Sequence, residues 1–243
     1  MTILTVIPAR MAAVRLPNKP LADIHGIPMI VRVMQQAMAA NIGPVIVACD
    51  GEAIKEAVEA HGGVAVMTDP ELPSGTDRVH AAAEIFDPKG AYQLIINVQG
   101  DQPNLNPDDL KMMATFMSES DHDMTTIAAK SLDEGDRTNI NVVKIAMKSV
   151  PIGSKTQAHY FSRSSIPSEG KDLYHHIGVY GYKRDVLKRF VSLKPSYLEQ
   201  SERLEQLRAL EDGMRIDVVV VNSIPQSVDT PEDLEKVKKL IAA

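Results

Sequence analysis

Short apolar runs recur through the first half of the chain, and amphipathic segments fill the gaps between them. Leu4 to Ile7 is a β-branched run stopped by Pro8; Val45-Ile46-Val47-Ala48, Val64-Ala65-Val66-Met67 and Leu94-Ile95-Ile96-Asn97-Val98 follow. Runs of this length without polar alternation predict strands buried on both faces. Between them, Pro28 to Ala40 places Met29, Ile30, Val33, Met34 and Ala37 at the helical period, opened by a proline. Glu52 to His61 keeps the same period and stops at Gly62-Gly63, and Thr76 to Phe86 predicts a third helix. Strand–helix alternation at this spacing predicts right-handed crossovers. The implied architecture is α/β: an open, mostly parallel sheet with helices on both faces.

The second half is less regular. Val142 to Ala146, Gly178 to Tyr182 and Ile216 to Val221 predict strands, and Tyr197 to Glu211 predicts one long helix. Pro231 to Ala243 predicts a closing amphipathic helix, with Thr230 as N-cap and Glu232 and Asp233 at its positive end. No repeat, low-complexity tract or long Pro/Gly/Ser linker divides the chain. The expectation is a single domain over 1–243, in which approximately 135–200 carries a small inserted antiparallel portion.

Charge narrows the function. The chain has 243 residues, 26 Lys plus Arg against 32 Asp plus Glu, and a net charge of −6. That balance argues against a nucleic-acid partner and against attachment to anionic membrane. The single cysteine, Cys49, excludes a disulfide framework or a multi-thiolate metal site. The opening residues carry no cationic region and no apolar core long enough for a signal or a span, so the expected location is the cytoplasm.

Against this acidic background the stretch from Ile7 to Leu21 stands out. It follows the first strand, so it lies at the carboxyl edge of the sheet, where open α/β folds bind ligands. It holds Arg10, Arg15 and Lys19 and no acid. Guanidinium forks and an ammonium point charge suit a polyphosphate; the alternative is a solvated basic loop. A P-loop pattern and a dinucleotide GxGxxG are both lacking. Asn97 to Pro103 delivers Asp101 past Gly100 to the same edge, where a carboxylate facing phosphate-binding cations fits a Mg²⁺ ligand. Helix capping near Pro107 is the alternative, although Asn106 and Asp108 are better placed for it. Asp229, in Val228-Asp229-Thr230-Pro231, is balanced between a metal ligand and a helix-start residue. Ser74-Gly75-Thr76-Asp77-Arg78 reads as a capped turn or an anion- or base-reading helix start.

Together these stretches resemble the bacterial 3-deoxy-manno-octulosonate cytidylyltransferases, also called CMP-Kdo synthetases, along essentially the whole chain. The resemblance rests on IPAR…RLPxKPL (Ile7 to Leu21), SGT-D-R (Ser74 to Arg78), NVQGDxP (Asn97 to Pro103), YFSRxxIP (Tyr160 to Pro167), HxGxYGY (His176 to Tyr182), LEQLRxLE (Leu204 to Glu211) and VDTPEDL (Val228 to Leu234). Gln102 stands where the family often has Glu, and Met11-Ala12-Ala13 where it often has aromatic or Ser-rich residues.

The resemblance implies a nucleotidyltransferase-type (Rossmann-like) fold and transfer of CMP from CTP to Kdo, an eight-carbon acidic sugar, for lipopolysaccharide assembly. It implies nucleotide binding by Pro8, Arg10, Arg15, Lys19, Ser74, Arg78 and Gln99. It implies Mg²⁺ held by Asp101 and Asp229, with Arg10, Lys19 and the two aspartates as the catalytic set. Gln99, Arg163, His176, Tyr180, Glu205 and Gln206 would meet the sugar, and the enzyme would be a homodimer. Without the resemblance, His176 reads as a structural histidine, and Glu205 and Gln206 as a solvated helix face. Two rivals remain: a CMP-sugar synthetase for sialic acid or 8-amino-Kdo, and a catalytically silent nucleotide-binding regulator.

Overall fold

The structure, a computed structural model, describes residues 2–12 and 15–241. Ala13 and Val14 of the cationic stretch, and the last two residues of the expected closing helix, lie outside the described residues. The chain divides into two compact units, Met1–Lys111 with Pro225–Ala243, and Met112–Ile224.

In the first unit the elements are β1 (Ile3–Ala9), β2 (Asp23–Ile24), β3 (Ile27–Pro28), α1 (Met29–Ala39), β4 (Val45–Cys49), α2 (Glu52–Ala60), β5 (Val64–Met67), α3 (Gly75–Phe86) and β6 (Leu94–Asn97). The strands run in the order β5-β4-β1-β6, all parallel, with Ile46 opposite Val64, Thr5 opposite Val45 and Ile3 opposite Leu94. Leu4, Val6, Ile7, Ile46, Val47, Ile95 and Ile96 are fully buried, which is why these segments lack polar alternation. α1 buries Met29, Ile30, Val33, Met34 and Ala37, the residues whose spacing announced it. α4 (Pro107–Glu119) starts in this unit. The C-terminal helix Pro231–Leu240 closes it, burying Val237 in a small apolar cluster with Ile24, Met29 and Val228.

The second unit holds β7 (Met124–Lys130), β8 (Lys144–Met147), β9 (Lys155–Ser162), β10 (Tyr174–Lys183), α5 (Arg184–Ser192), α6 (Tyr197–Glu202), α7 (Leu207–Glu211) and β11 (Ile216–Val221). Its strand order is β10-β7-β11-β9-β8, and β8 pairs back onto β10 through Lys144 and His175. Only β7 and β11 are parallel; the other pairings here are antiparallel. A mixed α/β chain is therefore what forms, but the open sheet does not extend to this unit, whose strands close into a ring. The irregularity in β10 between Ile177 and Tyr180 supplies a bend that helps such closure.

A second expectation fails at Tyr197–Glu211, which is two short helices and not one. Arg203 adopts φ 56°, ψ 47°, a left-handed C-cap, and the Leu204 N–H returns to the Glu199 carbonyl at 3.2 Å. This is the hydrogen bonding of a Schellman-type stop, built here without glycine.

Candidate active site

β1 and β6 are neighbours, so Pro8 to Arg10 and Gln99 to Asp101 emerge side by side at the carboxyl edge of the parallel strands. A cavity of about 530 Å³ opens there, with Pro8, Arg10, Arg15, Lys19, Ser74, Arg78, Gln99, Asp101 and Asp229 in its wall. That volume suits a nucleotide-sized ligand. Every residue assigned from the sequence to nucleotide or metal is thus gathered on one cavity.

Gly100 allows the close passage of β6's continuation past β1. A Cβ at Gly100 would lie 2.8 Å from the Pro8 carbonyl oxygen, a backbone atom that cannot swing aside. Asp101 is then locked to the far end of the chain, because the Val228 N–H donates to its carbonyl at 2.9 Å. Thr230 takes the helix-capping duty: its hydroxyl accepts from the Asp233 N–H at 3.2 Å, and the Asp233 carboxylate accepts from the Thr230 N–H at 3.2 Å. The Asp229 carboxylate is therefore turned to the cavity. Likewise Asn106 accepts from the Asp108 N–H at 3.0 Å, so the start of α4 does not occupy Asp101.

The Lys19 ammonium donates to Asp101 Oδ2 and to Asp229 Oδ1, each at 2.9 Å, and Arg15 Nη2 lies 3.2 Å from Asp229 Oδ2. Burial opposes the charge on Lys19, but the two carboxylates outweigh it and hold its pKa above the ordinary lysine value. Arg10 and Arg15 are exposed, leaving guanidinium groups at the mouth for an anion.

Ser74 and Arg78 line the same cavity but are also structural. Ser74 caps α3, accepting from the Asp77 N–H at 3.2 Å. Arg78 is buried; its Nη1 donates to Thr68 Oγ1 at 2.6 Å and its Nη2 lies 3.6 Å from Asp50 Oδ2. Asp50 was not anticipated from the sequence. It follows the last residue of β4, the same strand-end placement that singled out Asp101, so the signal was there to read. Gln99 Nε2 donates to Asn97 Oδ1 at 3.2 Å, and the buried Asn97 Nδ2 and Gln102 Oε1 have no hydrogen-bond partner among the described residues. Cys49 is buried, and burial pushes its thiol up to about 11, favouring the protonated form.

In the second unit, His176 and Tyr180 lie with ring centroids 5.4 Å apart, and Phe161 meets His176 edge-on at 5.1 Å. Thr126 Oγ1 donates to the Val179 carbonyl at 2.8 Å and lies 3.0 Å from His176 Nε2. A hydroxyl has one proton, so Nε2–H is the donor in that contact, and Nδ1 of His176 is left as an acceptor. Burial pushes the His176 pKa down to about 3, so the ring is neutral at physiological pH. Burial also raises the Tyr180 phenol well above its usual value, and the Glu205 charge acts in the same direction. Gln206 is 4% exposed, with its Nε2 unpartnered among the described residues, so it belongs to no solvated face. Arg163 donates from Nη1 to the Ile140 carbonyl at 3.1 Å, while its N–H is held by Glu202 Oε2 at 3.2 Å. Glu202, also unanticipated, accepts from Ser162 Oγ at 2.9 Å as well and so fixes the end of β9. The sequence-assigned sugar residues thus divide: Gln99 is in the first unit and Arg163, His176, Tyr180, Glu205 and Gln206 in the second.

Among the described residues, no helix is long and apolar enough to cross a membrane, and no group of three or more His, Cys, Asp or Glu is placed to hold a metal ion.

A profile of the cytidylyltransferase family matches residues 4–216. The 3-deoxy-manno-octulosonate cytidylyltransferase of Paramagnetospirillum magneticum is 50% identical over 243 residues, covering 100% of this chain and 99% of its own. That of Azorhizobium caulinodans is 51% identical over 242 residues, covering 99% and 96%. A solved structure of CMP:2-keto-3-deoxy-manno-octonic acid synthetase complexed with CTP aligns with a TM-score of 0.89 at 36% identity, over 99% of this chain and 98% of that one. A cytidylyltransferase from Leptospira borgpetersenii shares the fold, with a TM-score of 0.64 at 14% identity over 100% of this chain and 89% of that one. The chain belongs to the 3-deoxy-manno-octulosonate cytidylyltransferase family.

Proposed function

We propose that this protein joins CMP from CTP to the anomeric hydroxyl of 3-deoxy-D-manno-octulosonate, releasing pyrophosphate. The observation that carries the reading is one cavity walled by Arg10, Arg15, Lys19 and Arg78 against Asp101 and Asp229. Four cations suit a triphosphate, and paired carboxylates beside them suit what neutralises it. In the reaction the anomeric oxygen attacks the α-phosphorus, the new O–P bond forms as the α–β bridging bond breaks, and the hydroxyl proton is lost to solvent. Arg10, Arg15 and Lys19 take up charge on the departing pyrophosphate.

Asp101 and Asp229 fit a Mg²⁺ ligand pair. Both carboxylates already converge on one cation, the Lys19 ammonium, and both offer hard oxygen donors. The absence of a third acidic or imidazole ligand among the described residues suits Mg²⁺, which keeps waters and takes the rest of its shell from phosphate oxygens. When bound, Mg²⁺ supplies neutralisation of the α-phosphate and orientation of the attacking hydroxyl.

For the sugar, the neutral His176 ring with Nδ1 free to accept, the orphan Gln206 amide donor and the Tyr180 hydroxyl are groups that read hydroxyls. Arg163 is the group that matches the carboxylate. The same reading makes the protein one nucleotidyltransferase domain with an inserted sugar-binding portion, a cytoplasmic homodimer, and a supplier of lipopolysaccharide assembly.

Pyrophosphate release with CTP plus Kdo, 8-amino-Kdo or sialic acid, each with and without Mg²⁺, tests it. The expected result is Mg²⁺-dependent release with Kdo and little with sialic acid. No release with Kdo overturns the assignment.

A further inference from the structure

Asp50 sits at the end of β4, its side chain 9% exposed, and it holds two things that belong to the cavity. Its Oδ1 accepts from the Met11 N–H at 3.1 Å, and its Oδ2 lies 3.6 Å from Arg78 Nη2. The chain on the far side of that peptide bond is Arg10, which lines the same cavity as Arg78. Neighbouring contacts stiffen the arrangement. Arg78 Nη1 is tied to Thr68 Oγ1 at 2.6 Å, and Thr68 donates in turn to the Cys49 carbonyl at 3.1 Å, beside Asp50. Gly51 receives the Met11 side chain: a Cβ there would lie 3.0 Å from Met11 Cγ. Met11 is thus seated by its backbone on Asp50 and by its side chain on Gly51.

A buried carboxylate is retained only where its oxygens are matched, and each of these is. One matches the backbone that aims an exposed arginine, the other a buried arginine. We propose that Asp50 is a positioning residue for nucleotide binding: it fixes the Arg10–Met11 backbone relative to Arg78, so that the two cations are in register before CTP arrives. Asp50 itself is not among the residues lining the cavity. The inference rests on the CTP reading of the cavity above.

The test compares Asp50→Asn and Asp50→Ala with the wild type by direct CTP binding, by KM for each substrate, and by hydrogen exchange over the Met11 amide. Asparagine keeps an acceptor for Met11 and loses the pairing with Arg78; alanine loses both. The expected result is weaker CTP binding in the order wild type, Asn, Ala, reaching about tenfold or more in Ala, with the Kdo KM unchanged within about twofold. Exchange at Met11 accelerates in Ala and less in Asn. Wild-type CTP affinity in folded variants, or an equal rise in both KM values, overturns the proposal. Wild-type protein that fails to bind CTP would instead overturn the function itself, so the two failures are distinct. Asp50→Ala alone leaves a stranded guanidinium and can fail to fold. The comparison is then Asp50→Ala in an Arg78→Met background against Arg78→Met alone: a further loss of CTP affinity upholds the proposal, and equality overturns it.

Discussion

The Val228 N–H donates to the Asp101 carbonyl at 2.9 Å. That one backbone bond joins the strand-end loop after β6 to the segment before the C-terminal helix, and it sets Asp229 beside Asp101 around the Lys19 ammonium. Each half of the contact is held elsewhere. Gly100 lets the loop pass under Pro8, and Val228 is buried against Ile24, Met29 and Val237. The site is therefore pinned by backbone, and its carboxylates remain available for chemistry.

Replacing the carboxylates should consequently spare the fold and remove the reaction. Asp101→Asn and Asp229→Asn each keep the side-chain shape and the Val228 hydrogen bond. Turnover is expected to fall by about a hundredfold or more in each, since charge at the α-phosphate is no longer balanced. Steady-state pyrophosphate release alongside a thermal melt checks this. Full Mg²⁺-dependent turnover in Asp101→Asn would remove Asp101 from the catalytic set.

Gly100→Ala should do the reverse and damage the frame. The added Cβ meets the Pro8 carbonyl oxygen at 2.8 Å, so β1 and the loop must separate by several tenths of an ångström. The cost is about 1–3 kcal/mol of stability, as for other overpacked sites. Urea unfolding gives the stability change, and kcat/KM for CTP should fall with it, because Asp101 moves with its neighbour.

His176 should make the protein sensitive to acid. Its pKa is about 3 in the folded state, lowered chiefly by burial and secondarily by the His175 charge, against 6.5 as the ordinary value. The unfolded chain therefore binds a proton through the window between those values while the native chain does not. Stability is fully present above about pH 6.5 and is lost as pH falls toward 3, at up to about 1.4 kcal/mol per pH unit. His176→Gln should flatten this slope in denaturant melts between pH 7 and 5. An unchanged slope would mean that His176 charges in the native state.

How much of this was legible beforehand depended on whether a segment carried its own signal. β1, β4 and β6 did, because burial on both faces leaves no room for polar residues. β5 is equally apolar in sequence but is the edge strand, with Val64 and Met67 exposed, so the expected burial on both faces fails there. β9 did not: Lys155-Thr156-Gln157-Ala158-His159-Tyr160 is polar, and becomes a strand because Asp217 and Val219 of β11 pair with it. β7 carries no clear signal although it is buried from Met124 to Ala129, since its Thr125 and Thr126 blur the apolar run. Among site residues, Arg10, Lys19 and Asp101 were readable because a strand end or a charge reversal marks them, whereas Asp229, balanced on its own pattern between metal ligand and helix start, was assigned only by the resemblance. Asp50 and Glu202 act through backbone N–H groups far away in sequence, at Met11 and Arg163. The strand-end place of Asp50 is legible in the sequence, but no local pattern encodes these remote contacts.

Arg203 shows the same limit and offers a clean test of it. The run Tyr197 to Glu211 has helical composition throughout, and nothing in it is a customary stop. Yet Arg203 adopts φ 56°, which costs an L-residue with a Cβ roughly 1–2 kcal/mol. The residue is exposed, so its side chain offsets little of that cost. Glycine enters this region freely but loses more backbone entropy on folding. Arg203→Gly is accordingly expected to raise stability by about 0.5–1 kcal/mol in urea melts, with the CTP KM unchanged. A loss of stability would show that the break between α6 and α7 is held by the arginine side chain and not by the backbone geometry at this residue.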